Sequence, residues 1–262
     1  MQFQFTKFCL FTLFFFSINA AYAQTDKVFW FVAPEVNDEH GDIADQRGQP
    51  THFRFTNTED FEVTVTLTQP ARDNQIAQID IPAGETESIE FTRDGTYDLN
   101  EIENYFQVSP TEVGNKGDKG IRIESTGRIT AYYEVTANWN MEILSLKGRN
   151  ALDTLFYVPF QTKYPTEMSR YDNIYSAIDI VATDDNTEIT ITPTEDMLLI
   201  EPGGIQDYVT ANTEYSITLD EGETFSAAPY GTGDNDPWDI SRTEDLAGTK
   251  IESSKSVAVN TK

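Results

Sequence analysis

Cysteine is all but missing from this chain: the one residue, Cys9, lies within the first 23, and everything after it has none. No disulfide can staple the remainder, which must hold itself together by packing. Histidine is nearly as scarce, with only His40 and His52. No zinc-type histidine pair is therefore available, and neither a Gly-x-Ser-x-Gly elbow nor a phosphate-cradling glycine loop occurs. His52 opens a predicted strand and reads as a structural residue. Basic residues are few: 18 Lys and Arg face 44 Asp and Glu, for a net charge of −26. That balance repels phosphate backbones and anionic lipid, and so argues against nucleic-acid partners and direct membrane binding. The acids are interleaved with apolar residues, the pattern of a solvated surface and not of a disordered tail.

Long hydrophobic runs are absent beyond the first residues. There, Lys7 precedes a Phe- and Leu-rich stretch over residues 8–18, and Ala21-Tyr22-Ala23 stands before Gln24. One cation, a short apolar core and an A-x-A site predict a signal peptide over residues 1–23, cleaved after Ala23. The run is shorter than the roughly 20 residues a membrane span needs. Secretion follows as the expected localisation, with no membrane insertion once the leader is removed.

What is present in quantity is period-two alternation. Residues 120–135 read GIRIESTGRITAYYEV, and residues 248–262 read GTKIESSKSVAVNTK. Each predicts a strand hairpin turning at its polar centre. In the first copy Ile121, Ile123, Tyr133 and Val135 are expected to be buried, with Arg122, Thr130 and Glu134 exposed. Two further echoes occur in the same order. The strands around Val63 return around Ile189, and Gly84-Glu85-Thr86 returns as Gly222-Glu223-Thr224. Residues 156–159 (FYVP) echo residues 29–34, in and after a strand over 28–32 that carries Trp30, expected with Trp139 to be core. An insertion near residues 196–212 interrupts an otherwise even repeat, and loops absorb such differences readily. Only residues 99–106 suggest a helical turn. The expected fold is all-β: two tandem duplicated antiparallel β-sandwich modules, residues 24–150 and 151–262, each of about seven short strands. The alternative is one many-stranded body such as a propeller.

Two loops concentrate hard oxygen ligands. Asp234, Asn235, Asp236 and Asp239 sit in a Gly-containing segment, and Asn37, Asp38, Glu39 and Asp42 form a poorer group. Calcium favours such oxygens, but Asp and Asn are also simply turn residues, and both readings stand. Tyr230 and Trp238 flank the first loop; they either stack on a sugar ring or partner protein or plug the end of the core. With 44 acids, a glycosidase-like carboxylate pair arises by chance and marks nothing.

Taken in order, GIRIESTGRITAYYEV, LKGRNALDTLFYVPFQ, IDIVATDDNTEITITP and DLAGTKIESSKSVAV resemble the bacterial branch of the IgGFc-binding protein N-terminal domain family. Asp153 departs from it, since the family more often has glycine there. The resemblance implies a non-catalytic binding module at the front of a longer type IX-secreted surface protein, with the chain truncated relative to the family after Lys262. Its partner would be an extracellular protein or glycan. The animal namesake is a mucus protein with affinity for antibody Fc, but a shared fold carries no ligand with it. The expected function is adhesion at the cell surface, without an enzymatic role and without a cofactor beyond the calcium just considered. A carbohydrate-active enzyme or sugar-binding accessory domain, and a structural spacer, are the alternatives.

Overall fold

A computed structural model describes residues 25–34, 51–92, 97–98, 107–108, 112–137, 140–159, 176–201, 205–230 and 245–261. Among them the regular structure is strand, with 3-10 turns at Pro70–Arg72 and Gly148–Ala151. In chain order the strands are β1 (Asp26–Phe31), β2 (Ala33–Pro34), β3 (Thr51–Asn57), β4 (Val63–Gln69), β5 (Asn74–Ile81), β6 (Thr86–Thr92), β7 (Tyr97–Asp98), β8 (Gln107–Val108), β9 (Lys116–Gly117) and β10 (Ile121–Ala137). They continue with β11 (Asn140–Leu146), β12 (Leu152–Tyr157), β13 (Ile178–Ala182), β14 (Thr187–Thr192), β15 (Met197–Glu201), β16 (Ile205–Val209), β17 (Tyr215–Leu219), β18 (Thr224–Ala227) and β19 (Lys250–Thr261). The suggested helical turn over residues 99–106 lies outside the described residues.

Two large sheets result, and they share their order over five strands; at the sixth place β7 pairs parallel with β6, whereas β9, from the first half of the chain, pairs antiparallel with β18. The first runs β5-β4-β10-β3-β6-β7 with β1 and β11 also on β10; the second runs β17-β14-β19-β13-β18-β9 with β12 also on β19. The chain is thus two repeated antiparallel β-sandwich-like modules. In the first, β4 and then β3 pair along one edge of β10, while β1 and then β11 pair along the other. The residues between them let β10 serve two layers that close on one core of Phe29, Phe53, Phe55, Leu67, Ile123 and Tyr133, among others. The rings of Phe53 and Tyr133 lie 5.1 Å apart, and Phe91 meets Phe53 edge-on at 5.9 Å, an arrangement aromatic quadrupoles favour.

The predicted hairpin at residues 120–135 is instead one strand of 17 residues. Its polar centre does not turn because neighbouring segments bond it in the extended form: Arg128 N–H donates to Glu59 Oε1 at 2.8 Å, Arg128 O accepts Thr58 N–H at 3.1 Å, and Thr126 Oγ1 accepts Thr64 N–H at 3.0 Å. In the second copy Ser254 Oγ likewise accepts Glu188 N–H at 2.9 Å. β19 is likewise continuous through its polar centre.

The ladders also fix which residues correspond. Val65 stands opposite Ser125, and Ile189 opposite Ser253. Val65 is therefore the counterpart of Ile189, two residues on from the expected Val63. The slip keeps the face, because side chains alternate with period two. Gly84 and Gly222 do match: both have positive φ, of +72° and +79°. Asn57 N–H bonds Glu85 O, and Ala182 N–H bonds Glu223 O, in the same way. Both turns need the left-handed backbone that glycine adopts without a Cβ clash.

Ile121, Ile123, Tyr133 and Val135 are buried as their period predicts. Glu134, expected outside, is only 9% exposed because Arg54 reaches over it, with Nη2 3.0 Å from its carboxylate. Trp30 lies outside the first module's own core: half-buried on the outer face of β1, it packs against the apolar cluster between the modules, with the Arg122 guanidinium 5.7 Å above its ring. Trp139 lies outside the described residues. At the start of β1, Asp26 ties the first module's entrance to its exit: its carboxylate accepts the Arg149 backbone N–H at 2.9 Å and the guanidinium at 3.0 Å.

The two modules pack directly on one another. Val32 and Val108 from one meet Val181 and Ala258 from the other. For this reason β13 is buried along its whole length instead of alternately.

Candidate functional site

The expected metal and ligand loop falls mainly in residues 231–244, so Asp234, Asn235, Asp236, Trp238 and Asp239 lie outside the described residues, as do Asn37, Asp38, Glu39, Asp42 and His40. Among the described residues no group of three or more His, Cys, Asp or Glu is placed to hold a metal. Of the predicted site residues, Tyr230 is described. It leads directly into that loop.

Its surroundings come from the insertion near residues 196–212, which proves to be a hairpin, β15–β16. Apolar runs on its two strands build it, and a glycine lets it seat against the second sheet. Gly114 has a φ of +77°, and a Cβ there would lie 2.9 Å from Leu198 O. Gly114 donates to Ser226 O at 2.8 Å and accepts Ile200 N–H at 3.2 Å. Leu198 is buried with Val113, Ala177 and Ala228 beneath the hairpin. Leu198 N–H bonds Ala228 O at 2.9 Å, and Tyr230 N–H bonds Asp196 O at 2.6 Å.

This scaffold brings Tyr208 of β16 against Tyr230, with ring centroids 5.0 Å apart and planes at 23°. Tyr208 keeps 46% of its surface exposed. Two stacked rings with phenolic edges make a flat platform that offers an apolar face and hydroxyl partners together, the combination that protein and sugar recognition both use. Asp207, beside it on the same strand, is exposed. Tyr208 escapes the sequence reading, which treats the insertion as loop. Two apolar runs flanking Pro202-Gly203-Gly204 were the available hairpin signal.

A second feature is electrostatic and joins the modules. Arg122 donates to Glu221 at 3.0 Å and to Glu124 at 2.5 Å, while Arg72 reaches Asp118 at 2.6 Å. Lys116 pairs with Glu223 beside them. Lys119 is 4% exposed, with Glu112 at 3.6 Å. Burial pushes its ammonium pKa down, only partly opposed by the Glu112 carboxylate. At the far end of the first module burial pushes the Asp26 carboxyl up, but hydrogen bonds from the Arg149 side chain and backbone and from Lys27 N–H outweigh it and leave the pKa lowered. Both features are supports, with nothing in them poised for proton transfer. His52 sits half-buried on β3, paired in register with Glu134 and Glu90.

Comparison with known proteins gives one family. Residues 142–262 match the family described as IgGFc binding protein. No curated protein sequence matches. Among solved structures, the crystal structure of PBSX exported protein XepA is similar at 10% identity, covering 89% of this chain and 82% of that one, with a TM-score of 0.19. A score that low carries no argument about fold or function.

Proposed function

The second half of the chain matches the IgGFc binding protein family, and from that premise we propose an extracellular, non-catalytic binding module that makes contacts at a bacterial surface. Its export would use the leader over residues 1–23, and its place would be the front of a larger surface protein. The observation that carries the reading is the Tyr208–Tyr230 platform within the matched residues, with Tyr208 exposed and Tyr230 partly buried just ahead of the segment that holds Trp238. Exposed tyrosines give large contact area at low entropic cost, and an extracellular protein is the partner class the family name supports. Adhesion is the use such a surface would serve.

A sugar-binding accessory role is the second reading, favoured by the same stacked rings, which suit a pyranose face. Surface plasmon resonance with antibody Fc as the protein probe, beside a glycan array as the carbohydrate probe, separates the two. Binding to either that is lost in Tyr208→Ala and Tyr230→Ala, with unchanged melting, supports the platform and names its ligand class. Binding that survives both substitutions refutes the platform as the site.

A further inference from the structure

The module joint is built from positions that recur, unused, in the second module. In the first, Trp30 stands opposite Arg122 across β1 and β10; in the second, Tyr157 stands opposite Lys250 across β12 and β19. Arg122 pairs with Glu124 at 2.5 Å, and Lys250 pairs with Glu252 at 2.7 Å. The two outer faces therefore carry the same triplet of aromatic, cation and acid at the same registers. What differs is the cover. Over the first triplet lies the turn between β17 and β18, whose Glu221 takes Arg122 at 3.0 Å and whose Gly222 packs against Pro70 and Ala71. Among the described residues no such turn covers the second triplet: Tyr157 is 64% and Leu155, next along the same face, 47% exposed.

We propose that the Leu155–Tyr157–Lys250–Glu252 face is an acceptor for the acidic glycine turn of a further β module, docked as the second module docks on the first. The occupant is defined by what the first triplet holds: a turn of the Asp220-Glu221-Gly222-Glu223 kind, its carboxylate on the cation and its left-handed glycine bringing backbone close to the neighbouring surface. Lys250, already beside Glu252, stands where Arg122 stands beside Glu124, and Arg122 takes a second carboxylate from Glu221. This contact is head-to-tail, so it joins unlike surfaces and can repeat along an array.

A second copy of this chain has one free turn of the same backbone form, Pro82-Ala83-Gly84-Glu85, with open space about Gly84. It has Ala83 where Glu221 supplies the carboxylate. That difference gives the test. Ala83→Glu places the missing acid on an exposed turn of the intact chain, and sedimentation velocity up to millimolar protein in physiological salt reads association. The variant is expected to self-associate with a dissociation constant roughly tenfold below that of the wild type, about the worth of one charge-assisted hydrogen bond. Adding Tyr157→Ala or Lys250→Glu should return it to the wild-type state. Wild-type association abolished by Lys250→Glu would also support the face and make a second copy its occupant. An Ala83→Glu variant no more associated than wild type, or one still associated after Tyr157→Ala, overturns the proposal.

Discussion

Replacing Gly127 with alanine probes whether β10 passes its polar centre in the extended form. A Cβ at this position would stand 2.4 Å from Val63 Cγ1, 2.9 Å from Glu59 Cγ and 3.4 Å from the Phe61 ring. Glu59 can swing aside. Val63 cannot, because it is fully buried on β4 between β5 and β10. The backbone at Gly127 is not left-handed, so the penalty is contact and not torsion. Overpacking of this kind costs about 1–3 kcal/mol. Val63→Ala alone removes two methyl groups, about 1.6 kcal/mol of transfer free energy plus a cavity term. In the double variant the new methyl occupies the space Val63 vacates, so the combined cost should fall short of the sum by about 1–2 kcal/mol. Urea unfolding followed by circular dichroism measures all three variants. Additivity within about 0.5 kcal/mol, or a Gly127→Ala midpoint equal to wild type, would refute the packing at this bend. The second repeat has Lys255 at the corresponding place, exposed, which shows that the strand itself tolerates a side chain there.

Ile123→Ala and Ile251→Ala delete fully buried residues at matched positions in the two cores; each should cost about 2–5 kcal/mol by the same urea assay, and a variant with the wild-type midpoint would show that its strand faces no core. The Asp26 carboxyl has a folded pKa below its ordinary 3.8, so its stabilisation is present above that value and is lost as pH falls through the folded one. The melting difference between wild type and Asp26→Asn should accordingly shrink as acid is added, and a difference that stays constant refutes the linkage. Calorimetric titration of calcium separates the two readings of the loop over residues 231–239. Heat at about 10⁻⁴–10⁻³ M that disappears in the Asp234→Ala, Asp236→Ala double variant means a metal site, and silence in the wild type means a turn.

The repeat was legible because its signals are backbone requirements. Gly84 and Gly222 each supply a left-handed turn, and alternating residues such as Ile121 and Ile123 can bury only one face. Register was less legible, since a slip from Val65 to Val63 preserves every inward side chain. Whether residues 125–128 turn or run straight depends on Glu59 and Thr64 of neighbouring segments, which a local pattern does not contain. Trp30 belongs to a different apolar cluster for a related reason: a large aromatic fits a core, and nothing local reveals that this one packs at the joint with Val181 and Ala258 of the second module, with Arg122 over its ring. Glu134 likewise owes its burial to Arg54, far away in sequence. Of the candidate site, Tyr230 was recognised and its partner Tyr208 was not. The insertion that carries Tyr208 breaks the repeat, and its apolar runs find their purpose only where Gly114 lets the hairpin sit down.

The tie between Asp26 and Arg149 has a mechanical meaning. Asp26 is where the chain enters the first module, and Arg149 is where it leaves for the second. A pull along the chain would reach this carboxylate–guanidinium clasp at both ends at once, with Gly148 pressed so close to Asp26 that a Cβ there would lie 2.4 Å from the aspartate's own. Tension would then pass across the base of the module from one residue to the other, and the aromatic core above would carry no load until the clasp gave way.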